Sequence, residues 1–89
     1  MKRPELYERV ALTRDQDEFG LKRGDVAMFI DTVPDPQGGA DGAILEVFNA
    51  VGDSIMVVTV PFDEIEALSE NEVLAKRALN PPALAKASP

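Results

Sequence analysis

Residues 25–33 read Asp-Val-Ala-Met-Phe-Ile-Asp-Thr-Val, the clearest strand in the chain. In an extended chain Val26, Met28 and Ile30 share one face while Ala27, Phe29 and Asp31 share the other, because successive side chains of a strand alternate. A charged loop precedes the stretch and Pro34-Asp35-Pro36-Gln37-Gly38-Gly39-Ala40-Asp41-Gly42 follows it. Prolines and glycines at that density hold neither strand nor helix, so an exposed loop is expected there. The pattern is that of one short strand among several.

Working outward, Ala43–Asn49 and Ser54–Val60 are two further strands joined by Ala50-Val51-Gly52-Asp53, a short glycine-bearing link that reads as a β-hairpin. Glu46 shares a face with Ile44 and Phe48. Burying an unpaired carboxylate is costly, so Leu45 and Val47 are expected to point inward; a bulge that shifts the register is the alternative. Ile55-Met56-Val57-Val58-Thr59-Val60 is apolar almost throughout. Either it is a central strand buried on both faces, or the C-terminal tail covers its outer face. Toward the N-terminus, Leu6–Thr13 alternates in part, with Val10 and Leu12 on one face, and suits a first strand. The loop Arg14–Gly24 is charged, and its lone apolar residues Phe19 and Leu21 are expected to pin it to the core.

Pro61-Phe62-Asp63-Glu64-Ile65 ends the hairpin. A single helical turn there brings Phe62 and Ile65 over the open end of a barrel and leaves Glu66-Ala67-Leu68 as a last short strand. Ser69-Glu70-Asn71-Glu72 matches the S-x-x-E capping box, which predicts a short C-terminal helix within residues 69–80, with Lys76 and Arg77 suiting its C-terminal dipole. Asn80-Pro81-Pro82 stops it, and residues 81–89 are expected to be a disordered tail. The expected organisation is one mainly β domain over residues 1–68, a small five-stranded barrel, followed by the helix and the tail.

Composition narrows the function. A chain of 89 residues holds one domain, with 45% hydrophobic and 28% charged residues, a globular rather than a disordered balance. No apolar run approaches the roughly 20 residues that cross a bilayer, and Met1–Arg9 is charged where a signal peptide needs an apolar stretch. A bacterial, cytoplasmic protein is expected. All 16 acidic residues lie at or before Glu72 with six of the nine basic ones, so residues 1–72 carry −10 and residues 73–89 carry +3. So acidic a body repels phosphate backbones, which argues against nucleic acid and for a basic protein partner.

Catalysis has little to draw on, because the chain contains neither His nor Cys. Asp63, Glu64 and Glu66 read as a solvated turn rather than a paired-carboxylate site. Asp15-Gln16-Asp17-Glu18 lacks the loop length, turn glycine and distal Glu of a calcium loop. The glycines of residues 38–42 open no helix and bring no cation for a phosphate. No enzyme activity, cofactor or metal is expected.

Tyr7-Glu8-Arg9-Val10-Ala11-Leu12-Thr13 followed by Gly20-Leu21-Lys22-Arg23-Gly24-Asp25-Val26 resembles a family of short uncharacterised bacterial proteins, a domain of unknown function. Val47-Phe48-Asn49, Gly52, Ile55, Val58-Thr59-Val60-Pro61 and Ile65 look like the second half of that pattern. The resemblance covers roughly residues 6–68, and its glycine-bearing turn also occurs in KOW-type translation and transcription factors. It implies an SH3-like barrel and no established activity. Ala27 stands where the pattern has glycine, and Met28 and Phe29 replace small or β-branched residues, so the local backbone there is expected to differ.

SH3-like barrels commonly bind in the groove between their first and second loops, here Arg14–Gly24 and Pro34–Gly42. Asp15, Asp17, Glu18 and Phe19 are the partner-binding candidates, and they suit a basic or arginine-bearing target. The expected function is a non-catalytic interaction module, an accessory or inhibitory protein of antitoxin or immunity type; the alternative is a KOW-like nucleic-acid-associated module resting on Arg14, Lys22 and Arg23. The short tail either packs back on the barrel or binds a partner, and homodimerisation through a strand edge or the tail is left open.

Overall fold

The computed structural model describes residues 3–79. Its strands are β1 (Arg9–Leu12), β2 (Val26–Val33), β3 (Gly42–Phe48), β4 (Ser54–Pro61) and β5 (Ile65–Ala67). They form a single antiparallel sheet in the order β4–β3–β2–β1–β5. Residues 25–33 therefore supply the middle strand. Ala27 and Phe29 are buried, while Val26, Met28 and Ile30 are half-buried on the opposite face. Phe29 pairs with Leu45 but Asp31 pairs with Ile44, so Ile30 is the extra residue of a β-bulge. Such a bulge bends the strand and raises its twist, which lets one sheet wrap its own core.

In β3 the inward residues are Ala43, Leu45 and Val47. Glu46 lies on the outer side, where its carboxylate accepts a hydrogen bond of 2.6 Å from the Ser54 hydroxyl. The β3–β4 turn is held by Asn49, whose side-chain oxygen accepts from the backbone N–H of Val51 (3.1 Å) and Asp53 (2.9 Å). Gly52 at φ 95° supplies the left-handed step that reverses the chain.

The apolar run 55–60 is an edge strand and not a central one. Val58 and Val60 enter the core and Val57 remains 58% exposed. After β4 the chain makes the expected turn over Phe62–Glu64, a 3₁₀ turn, and the Phe62 ring meets Phe29 edge-on with centroids 5.5 Å apart. Buried residues from all five strands, with Leu21 of the first loop, meet in one core.

One expectation fails, and the structure carries another only as far as a single five-stranded sheet. The helix within 69–80 is absent through Leu79: Glu72 N–H donates to the Ser69 carbonyl at 3.1 Å and the Glu72 carboxylate accepts from Ser69 N–H at 2.6 Å, yet the chain then runs on without helix. One turn is the costly nucleus of a helix, and a segment with a single apolar pair has too little to propagate it. Nor does hydrogen bonding close the sheet, because β4 and β5 are its two edges and do not pair. The disordered tail expected over 81–89 lies outside the described residues. Among the described residues no helix is long and apolar enough to cross a membrane.

Candidate arginine-docking site

The loop between β1 and β2 is tied by its own backbone hydrogen bonds. Asp17–Phe19 forms a 3₁₀ turn, and Gly20, in the left-handed region at φ 72°, ends it by donating its N–H to the Asp17 carbonyl at 3.1 Å. Gln16 and Leu21 exchange backbone hydrogen bonds of 2.9 and 3.1 Å, making the loop a small hairpin of its own. Leu21 is buried in the core and Phe19 is half-buried against it, which is the pinning expected of two lone apolar residues in a polar loop.

Two carboxylates are oriented by the backbone. Asp15 accepts from Arg23 N–H at 2.9 Å, and Asp25 accepts from Lys22 N–H at 2.7 Å. Gly24, at φ 90°, closes this tight turn and donates its N–H to the Leu12 carbonyl at 2.8 Å. The Asp25 carboxylate is thus held at a fixed angle at the mouth of β2 before any side chain approaches it.

Arg77 meets it there. Its Nε donates to one Asp25 oxygen at 3.0 Å and its Nη2 to the other, while Nη2 also donates to the Gly20 carbonyl at 3.2 Å. A planar guanidinium matches a carboxylate in this two-pronged way and a lysine ammonium does not. The Arg77 pKa is raised above its ordinary value, first by the hydrogen bond to Asp25 and further by the charges of Asp25 and Asp15, with burial acting in the opposite direction.

Beside this contact lies a groove of about 470 Å³, floored by Leu21, Val26, Val47, Phe48 and Ile55 and bordered by Leu74–Arg77 and Leu79. The tail therefore packs on its own domain, but it reaches only the Ile55 end of β4 and leaves Val57 uncovered. A smaller hollow of about 290 Å³ separates the Pro34–Gly42 loop from the end of β4. Neither cavity is lined by both loops, so the first loop faces the β3–β4 turn and the tail rather than the second loop.

Of the residues singled out in the sequence, Asp15 and Asp17 lie beside Lys22, whose Nζ is 4.0 and 3.6 Å from them, and Glu18 is exposed. None of Asp15, Asp17, Glu18 and Phe19 lines the larger groove. Gly20, Asp25 and Arg77 were missed; the acidic body and basic tail were the only sequence signal that they meet. Glu64 is taken up by Gln16 Nε2 at 2.6 Å and by Arg14 at 3.8 Å, a structural tie between the first loop and the 3₁₀ turn. Among the described residues no three Asp or Glu side chains are grouped to hold a metal ion. No protein-family model, curated protein or solved structure matches the chain.

Proposed function

We propose that the chain is a non-catalytic interaction module, an SH3-like barrel whose acidic first loop docks an arginine-bearing surface of a protein partner. The observation that carries this reading is the guanidinium of Arg77 on Asp25 and the Gly20 carbonyl: the loop offers a pre-oriented carboxylate and a carbonyl at the spacing one arginine requires. The barrel is supported by the single core to which all five strands contribute, since a flat sheet would spread five strands over about 19 Å at roughly 4.8 Å each. Asp15, Asp17 and Glu18 extend the negative field around the docking point and favour a basic approach. An accessory or inhibitory role, in which the module masks a basic surface, suits its size and its charge of −7.

The nucleic-acid reading loses ground to the same geometry. Lys22 already lies near Asp15 and Asp17 and Arg14 near Glu64, so the bases it needs are partly neutralised. Immobilised full-length chain is expected to retain a basic protein in stoichiometric amount, and the Asp15→Asn, Asp17→Asn, Glu18→Gln triple variant is expected to retain several-fold less. Recovery of nucleic acid that elutes with a modest rise in salt would instead favour the KOW-like alternative.

A further inference from the structure

The tail is bound in an unusual way for a part of a fold. After the Ser69–Glu72 turn, residues 73–79 make no backbone–backbone hydrogen bond among the described residues, and Val73 and Leu74 are 94% and 54% exposed. What holds the segment is the Arg77 fork on Asp25 and Gly20 together with the packing of Leu79 against the core. Beneath it the groove still encloses about 470 Å³ against Leu21, Val26, Val47, Phe48 and Ile55. A segment joined to its site mainly by side chains, through an ion pair whose members stay 36% and 23% exposed, can open without unfolding the sheet. This is how a ligand peptide lies on a domain.

We propose that residues 74–79, Leu-Ala-Lys-Arg-Ala-Leu, are a tethered occupant of the docking site, displaced by a protein partner that presents an extended segment of the same chemistry: an arginine with a large apolar residue three positions before it and another two positions after. The proposal rests on the arginine-docking reading above and adds to it the groove, the partner's side-chain pattern and a regulating competitor in the same chain. Charge selects that partner, because the tail segment carries Lys76 and Arg77 against a body of −10 over residues 1–72. The unfilled space explains why an outside segment can prevail: a larger side chain than Ala75 can occupy what the tail leaves empty.

Tethering sets the size of the effect. A short flexible link gives an effective concentration on the order of 1 mM, so a contact with a Kd of about 0.1 mM is closed in roughly nine molecules of ten. An added competitor then binds about tenfold more weakly than it would to the open site.

The test uses the full chain labelled with ¹⁵N and a synthetic peptide with the sequence of residues 73–79, titrated by NMR. The Arg77→Glu variant, which opposes Asp25 with a second carboxylate at an exposed position, should bind the peptide about tenfold more tightly than the unaltered chain. The shifts should centre on Gly20, Asp25, Val47 and Phe48, and the Asp25→Asn change in that background should abolish them. Equal affinity of the two chains overturns the tethered occupant while leaving arginine docking intact. No binding by the Arg77→Glu variant at millimolar peptide overturns the arginine site itself. A unaltered chain that sediments as a dimer and becomes a monomer in the Arg77→Glu variant would make the occupant a second copy, which overturns the competition within one chain.

Discussion

The ring of Phe62 stands edge-on to that of Phe29 at 66°, joining the 3₁₀ turn after β4 to the middle of β2. The two residues are far apart in the chain, and Phe62 also receives the guanidinium of Arg3 over its face at 4.5 Å. Phe62 is half-buried, so Phe62→Ala should cost about 2 kcal/mol, less than the roughly 3–5 typical of a fully buried Phe, and Phe62→Leu less than half of that. Urea denaturation midpoints measure both; a negligible loss for Phe62→Leu would show that the ring edge contributes nothing beyond bulk.

Gly42 begins β3 opposite Pro61, and a Cβ there would come within 2.8 Å of the Thr59 methyl carbon. Thr59 is β-branched and cannot swing freely aside. Gly42→Ala should destabilise by about 1 kcal/mol, and Thr59→Ser, which deletes that methyl, should restore at least about 0.5 kcal/mol of it. Strict additivity in the double-mutant cycle would contradict the contact.

Tyr7 has a left-handed backbone at φ 67°, imposed as its N–H donates to the Phe29 carbonyl beside the Ile30 bulge at 2.6 Å. Tyr7 is 70% exposed and offers little packing to offset the strain. Tyr7→Asn should stabilise by about 0.5–1 kcal/mol, raising the thermal midpoint by about 2–6 °C. A lowered midpoint would mean that the ring matters more than its exposure suggests.

The tail contact should respond to salt and ignore alkaline pH. A base whose pKa is raised on folding stabilises the fold below its unfolded value and loses that contribution only as pH climbs through the folded one. For Arg77 that window lies above the ordinary arginine range, so its charge is constant from pH 7 to 10. At 1 M salt the screening length is about 3 Å, and the amide shifts of Gly20 and Asp25 should move toward those of Arg77→Glu. Arg77→Lys, lacking the planar fork, should give intermediate shifts at low salt.

Alternation in residues 25–33 and 43–60, the glycine turn at 52 and the break at Pro61 are local signals, and each marked an element that the structure contains. The inward side of β3 was legible because Glu46 made the other choice costly. The bulge at Ile30 was not, since it is a matter of register between two separate strands. The same holds for β4: an apolar run looks alike on an edge or in the centre, and only strand order separates the two cases.

Ser69–Glu72 marks the boundary most clearly. The S-x-x-E spacing alone allows the box contact, and the contact forms. Whether a helix followed depended on what the next residues could gain elsewhere. A short helix with one apolar pair gains little in water, whereas Arg77 and Leu79 find a fixed carboxylate and a core edge when the chain stays extended. Local sequence sets the strands, because their period and turn chemistry are carried by neighbouring residues. The site at Asp25 was decided by tertiary structure, because its two charged groups lie 52 positions apart and become neighbours only once the sheet has formed.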